Sequence, residues 1–451
     1  MKQVEAASVC CVMALAWLYL AADLVQISQG LDGTLYAALA KFLAAGQGNF
    51  WALPHFEANQ AGFYDHPPLG IWLQGIWFAL WGDAFWVEKA YSGLLLLLMC
   101  VLIVRLWRLA SPQSEAWWPL MLFLCMPVVT LATKNNVLES LVTVIALAAA
   151  WLSWHAYQRV WLAVVVGLLT LAAVLVKGPA ALFMLVIPAC FAWFLHRDGG
   201  RALWLTGCTS ATFCIAGLGL LQFPAAAETL GLYFSNQVVA SLSGVRIIEH
   251  GRGWQVGRLA YNLGVVSLLL GLAYWRTRRL QPSPVVWSML LIGLCASLPL
   301  LISPRQYQHY LLPSLPFFAL AAARWVGAPR LRLRARTLWW AVIVCVTLGG
   351  LRAFLYFGDD GDHRRVLADV RQIGEFAQMA TPAARAVRFC DESLRRRVYL
   401  ARHFGVRSHV SDAADELYTV CTSPPAAQSA TAAAPDARLR LASGWQVYDR
   451  P

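Results

Sequence analysis

Residues able to do chemistry are sparse in this chain and sit in short clusters beside apolar runs. Asp32 lies in Gly30-Leu31-Asp32-Gly33-Thr34, where a carboxylate could take a proton from an incoming hydroxyl or simply cap a helix over 34–43. Asp23 competes for the acidic role but falls within the first apolar run. Tyr64-Asp65-His66-Pro67-Pro68-Leu69 sets an Asp–His pair on a turn that two prolines stiffen ahead of a helix. Such a pair can hold a metal or a phosphate, or be no more than a turn. Lys134, Asn135, Asn136 and Glu139 form a tight connection between two apolar runs; ionisable groups at membrane depth are costly and tend to be functional, whereas at the boundary they are merely solvated. Lys177, in Val176-Lys177-Gly178-Pro179, is one of only five lysines, and snorkelling is its plain alternative. Arg246, Glu249, His250 and Arg252 form one further cluster, and Arg305, Tyr307, His309 and Tyr310 another just before Pro313. Arginine clusters match the geometry of phosphate.

The elements that must position these residues are membrane helices. Of the 451 residues, 59% are apolar and 13% charged, about half the charge of a soluble protein. The 21 Trp suit membrane interfaces. A net charge of +12 could suggest nucleic acid, but the basic residues are spread through short connections between apolar runs, as membrane topology requires, and no nucleic-acid-binding pattern is present. With about 20 apolar residues needed per crossing, eleven runs qualify: 8–28, 86–107, 116–133, 137–156, 160–176, 179–195, 203–223, 258–275, 284–302, 309–326 and 337–357. The first reads as a retained helix, not a cleaved signal peptide. With the N-terminus inside, every inner connection carries arginine: Arg105 and Arg108; Arg159; Arg197 and Arg201; Arg276, Arg278 and Arg279; Arg324, Arg330, Arg332, Arg334 and Arg336. The chemically able residues then share the outer face, and the tail lies outside.

Two domains follow from this pattern: a membrane domain over 1–357 with long outer loops 29–85 and 224–257, and a small soluble α/β domain over 358–451. The stretches Leu35 to Leu43 and Leu69 to Leu80 read as helices lying in the interface plane. In the tail, Arg364 to Met379 and Glu392 to His403 have helical spacing, and Ala386 to Cys390, Leu417 to Cys421 and Trp445 to Tyr448 read as strands. Nine of the 11 Cys lie in or beside apolar runs as packing thiols. Cys390 and Cys421 are in the polar tail, where they either pair, as strand neighbours in an oxidising compartment can, or stay as buried free thiols.

Taken in order, these pieces resemble the C-type glycosyltransferases, in particular the bacterial branch of glycosyltransferase family 39 type that includes the lipid A aminoarabinose transferase and relatives of the protein O-mannosyltransferases. The resemblance rests on Asp32 followed by Tyr36 and Ala37, on Tyr64 to Leu69 ending in Pro-Pro-Leu, on Glu139, on Lys177 to Pro179, and on Arg305 with Tyr310 to Pro316. It covers about residues 30–320. Asp65-His66 stands where an acidic residue and Lys are usual, and Gly33 where a second acid is common. The resemblance implies an inverting transfer of a sugar from a polyprenyl-phosphate donor to an acceptor outside a bacterial inner membrane: lipid A, another glycan or a protein. It assigns proton acceptance to Asp32 and neutralisation of the departing phosphate to His66, Lys177, Arg246 and Arg305. Asp65, His66 and Glu139 would hold a divalent cation (Mg, Mn or Zn), which only some members of the family need, and Tyr64, Tyr310, Glu249 and His250 would line the site. A flippase for lipid-linked sugars or an O-antigen ligase or polymerase is the alternative, although a transporter would place its charges nearer the bilayer midplane.

Overall fold

The computed structural model describes residues 2–243, 253–277, 280–302, 306–328, 334–380, 386–390, 393–409, 418–421, 437–441 and 443–449. Among these, eight helices are long and apolar enough to cross a membrane: Gln3–Leu20, Val87–Ala110, Leu138–Ala156, Trp161–His196, Gly199–Leu220, Gly253–Trp275, Pro284–Leu301 and Ala335–Leu355. A ninth results if Trp117–Leu124 and Pro127–Asn135, bent by 71°, form one span. The bend has a covalent cause, because Pro127 opens the second piece without an N–H to continue the first. The chain is therefore a multi-pass membrane protein. Its spans expose large apolar side chains such as Leu203, Ile215, Leu268 and Phe354, as lipid-facing helices do.

The eleven apolar runs are mainly helical, yet they do not map one to one onto these helices. Two of them share Trp161–His196, which a 3₁₀ segment interrupts at Gly178–Val186. The run at 309–326 begins as a 3₁₀ helix, Gln308–Ser314, and leaves an α-helix of only 12 residues, Leu315–Val326. Asp23, expected inside the first helix, lies beyond its end at Leu20, in a turn.

The contacts divide the chain into two units, one of residues 1–24, 64–70 and 89–357 and one of residues 25–63, 71–88 and 358–451. The first holds the spans and the cavity described below. The second combines most of the first long loop with the tail. Its loop helices are Leu31–Ala44 and, split at Gly70 between the units, Leu69–Trp81. In the tail, strands β1 (Ala386–Phe389), β2 (Arg407–His409), β3 (Tyr418–Cys421), β4 (Leu439–Arg440) and β5 (Gln446–Asp449) form a sheet in the order β2-β1-β3-β5-β4. β1 is parallel to β2 and β3, and β5 is antiparallel to β3 and β4. The helix Arg364–Ala380 turns Leu367, Val370, Ile373 and Ala377 toward Val387, Phe389, Val420 and Val447 of the sheet, a spacing of three to four that gives one apolar stripe.

The α/β tail thus has the helices and strands expected of it, plus the short β2 and β4. Glu392, Leu417 and most of 423–437 lie outside the described residues. Cys390 and Cys421 form a disulfide, with Cα atoms 5.1 Å apart. The pairing of β1 with β3 brings them together, and the Cys390 N–H donates to the Val420 carbonyl at 3.0 Å. The tail helix Leu394–Phe404 packs on Leu31–Ala44 and ends at Gly405, whose φ of 68° supplies the left-handed cap.

Candidate active site

In the first unit, two helix ends bring opposite charges together. Pro127–Asn135 stops at Asn136, which adopts the left-handed conformation (φ 50°, ψ 52°). Asparagine tolerates this better than most residues. The chain restarts at once, and Glu139 is the first residue of Glu139–Ala156, where the helix dipole favours an acid. Lys177 is the last residue of Trp161–Lys177, where the dipole favours a base. Its ammonium lies 3.0 Å from Glu139 Oε1, with both side chains at least nine-tenths buried. His309 Nε2 is 3.8 Å from the same oxygen, and the Tyr310 ring lies 5.2 Å from the Lys177 ammonium, close enough for a cation–π contact.

Lys-Gly-Pro has a local physical reason. Gly178 sits at φ 79°, ψ −152°, a region open essentially to glycine alone. A Cβ at this position would lie 1.9 Å from the Tyr233 hydroxyl. Pro179 then opens the 3₁₀ segment. Gly70 makes the second close approach: a Cβ there would lie 2.7 Å from Leu138 and 3.1 Å from Val176. The residues next in sequence to those two are Glu139 and Lys177. The Pro67-Pro68 corner is thereby set down beside the ion pair, and Asp65 and His66 arrive with it.

Asp65, His66, Glu139, Lys177, Tyr233, Gln237 and Tyr310 line one cavity of about 390 Å³ together with apolar Val142, Ala296, Pro299 and Leu300. The Gln237 amide donates to the Asp65 carboxylate. Gln237 lies in a π-helical stretch, Phe234–Val239, a geometry frequent at functional sites. Burial pushes the Tyr233 phenol up to about 12, with Lys177 opposing, so the hydroxyl is neutral and able to donate. The cavity offers a cation, neutral donors and an apolar wall, the features an amphiphilic phosphate requires.

The structure thus gathers Asp65, His66, Glu139, Lys177 and Tyr310, all anticipated from the sequence. Tyr64 is half-buried next to Asp65. Asp32 belongs to the second unit, as the second residue of Leu31–Ala44. The helix cap there is Gly30, so the capping alternative for Asp32 does not describe this helix. Arg246, Glu249, His250 and Arg305 lie outside the described residues. Among the described residues no group of three His, Cys, Asp or Glu converges to hold a metal ion. Asp65 engages Gln237 and Glu139 engages Lys177, so Asp65, His66 and Glu139 do not form the cation cradle anticipated for them. Sequence reasoning missed Tyr233 and Gln237; the signal was only that both fall in the long loop over 224–257.

The family of dolichyl-phosphate-mannose-protein mannosyltransferases has a model that matches residues 65–225, the stretch that supplies Asp65, His66, Glu139 and Lys177. The fold is similar to that of ArnT from Cupriavidus metallidurans bound to undecaprenyl phosphate, with a TM-score of 0.61 at 14% identity over 97% of this chain and 96% of that one. The apo state of the same ArnT gives a TM-score of 0.55 at 13% identity over 91% of each chain. The chain is a glycosyltransferase with the C-type fold. No curated protein matches it in sequence. At such low identity the likeness to ArnT is one of fold, so the chemistry of this glycosyltransferase has to be argued from its own residues.

Proposed function

We propose that this glycosyltransferase moves a sugar from a polyprenyl-phosphate carrier to an acceptor hydroxyl or phosphate outside a bacterial inner membrane, with its N-terminus inside and its tail outside. The observation that carries the reading is the cavity in which Lys177, nearly buried, faces Tyr310 and Glu139 beside an apolar wall. A desolvated cation of this kind neutralises a departing phosphate far better than one in water. Glu139 balances Lys177 while the donor is absent and yields it when the donor phosphate enters. His66, in the same cavity, adds a hydrogen bond to that phosphate, and Arg246 and Arg305 serve the same charge. That an ArnT of this fold has been crystallised with undecaprenyl phosphate is in keeping with such a donor.

Asp32 takes the proton from the acceptor oxygen. That oxygen attacks the anomeric carbon, and the bond to the phosphate oxygen breaks with its electron pair leaving on the lipid phosphate. One displacement inverts the anomeric centre. Glu249, His250 and Tyr64 line the acceptor approach. No step is assigned to a metal.

The test uses purified protein in lipid nanodiscs with a labelled polyprenyl-phosphate sugar and extracts of envelope acceptors. Transfer is expected without any ion gradient. Asp32→Asn should remain folded, keep donor affinity and lose on the order of a hundredfold in turnover. Near-normal turnover in that variant would refute the base. Movement of the labelled lipid across liposomes with no transfer would instead identify a flippase.

A further inference from the structure

In the second unit, the tail helix Leu394–Phe404 grips residues 29–88 at three separate places. Arg397 donates to Glu57 at 2.6 Å. Arg402 donates to both oxygens of Glu88, at 3.0 and 2.8 Å, and to Asp83 at 2.7 Å. Between these, Tyr399 is buried to 1% exposure, and its hydroxyl accepts from the Gln29 N–H at 2.9 Å and donates to the Gln29 carbonyl at 3.1 Å. Both backbone groups of one residue are thus closed by one side-chain oxygen, 370 residues away in sequence.

Gln29 immediately precedes the start of the helix that carries Asp32. The cap residue, Gly30, has no side chain with which to fix the entry of the chain. Within the first turn the Thr34 N–H and hydroxyl each lie 3.0 Å from the Gly30 carbonyl, and from outside it the Tyr399 hydroxyl also engages Thr34. The external clamp at Gln29, two residues before the helix opens at Leu31, helps set the direction in which the first turn, and Asp32 with it, leaves the loop. The clamp has its own support. Arg395 Nη1 lies 2.8 Å from His363 Nε2, and His363 Nδ1 lies 2.8 Å from the Tyr399 hydroxyl. A guanidinium can only donate, so the His363 proton belongs on Nδ1, directed at Tyr399. The Tyr399 hydroxyl then accepts from His363 and from the Gln29 N–H and spends its one proton on the Gln29 carbonyl. Burial pushes its phenol up, which keeps that proton in place.

We propose that Tyr399 is a positioning residue for glycosyl transfer: through Gln29 it fixes the first turn of Leu31–Ala44 and so the placement of Asp32, with His363 and Arg395 fixing Tyr399 in turn. The proposal rests on the reading of Asp32 as the base. Misplacing a catalytic group by a fraction of an ångström to an ångström costs about tenfold to a hundredfold in rate. The test is Tyr399→Phe in the full-length protein, which keeps the buried ring and removes only the hydroxyl. Turnover at saturating donor should fall roughly tenfold with the donor KM unchanged, and amide hydrogen exchange over 29–34 should speed up while the tail stays protected. In an Asp32→Asn background, Tyr399→Phe should add no further loss. Unchanged exchange over 29–34, unchanged turnover, or a full additional loss in the Asp32→Asn background overturns the proposal. If Asp32→Asn is itself near normal, the base reading fails first and this proposal falls with it; an inactive Asp32→Asn beside a fully active Tyr399→Phe sinks the positioning role alone. Arg395→Met is the second variant should Tyr399→Phe not fold: a smaller fall in turnover supports the relay, and unchanged turnover and exchange overturn it.

Discussion

Lys177 with Glu139 and Arg402 with Glu88 are both buried ion pairs at short range, at 3.0 and 2.8 Å, and their surroundings differ. All three guanidinium nitrogens of Arg402 are bonded, to Glu88, Asp83 and the Ala84 carbonyl, and its plane lies 4.8 Å from the Phe78 ring. Lys41 closes the far side, reaching Asp83 at 2.7 Å and the Arg402 carbonyl at 3.0 Å. Around Glu139, by contrast, both carboxylate oxygens are buried without an aligned hydrogen bond among the described residues, and a cavity opens beside them. A fully satisfied buried pair has nothing to gain from a new partner. A pair beside a void can exchange partners, because a phosphate entering the cavity can offer its own lone pairs and charge to the Lys177 ammonium in place of the carboxylate. The first arrangement suits holding and the second suits exchange.

This contrast can be broken most forcefully at Arg402. Arg402→Ala leaves Glu88 buried without its partner, and the expected cost is about 3–5 kcal/mol of stability. A melting temperature within a degree of the parent's would mean that the cluster holds nothing. The corresponding change in the cavity should act on rate instead. Lys177→Met combined with Glu139→Gln removes the pair without stranding a charge, so the protein should stay folded while turnover drops by about 10²-fold, as on loss of one electrostatic stabiliser. A variant that melts early but turns over normally per folded molecule would reverse the assignment of the two pairs.

Gly178→Ala sharpens the same comparison. With φ at 79° and the Tyr233 hydroxyl occupying the Cβ position, the strain should amount to about 1–3 kcal/mol and displace Lys177; unaltered donor binding and stability would show that the corner is slack. A further effect concerns pH. His403 is pushed down to about 3, first by burial and then by Arg402, Lys41 and Arg371. Its folded pKa lies below its unfolded value, so the unfolded chain takes up a proton that the folded chain refuses. Stability is complete above the unfolded pKa, near 6.5, and falls by about 1.4 kcal/mol per pH unit below it, down toward pH 3. His403→Leu should flatten thermal melts of the protein between pH 6.5 and 4.5; an equally steep decline in that variant would assign the pH dependence to other groups.

Several parts of this molecule were legible in the order of its residues. Lys177-Gly178-Pro179 and Asp65-His66-Pro67-Pro68 each carry their own backbone instructions, because glycine and proline restrict or free φ without help from the rest of the chain. The spans were legible because lipid demands long apolar stretches, and the tail because three- and two-residue periods mark one buried face. The charged face of Leu394–Phe404 was not. Arg397 and Arg402 look like solvated residues of a basic helix, yet they are buried at 5% and 1% exposure. Their partners, Glu57 and Glu88, lie more than 300 residues earlier in the chain.

The sequence by itself determined which segments prefer lipid, where the chain breaks, and which residue types are available for chemistry, since these follow from local composition and backbone preference. The tertiary structure alone decided which charges meet. It gave Lys177 to Glu139, Gln237 to Asp65, Tyr399 to Gln29 and Arg402 to Glu88, because a salt bridge or a hydrogen bond depends on distance in space, and no period or propensity along the chain records that distance.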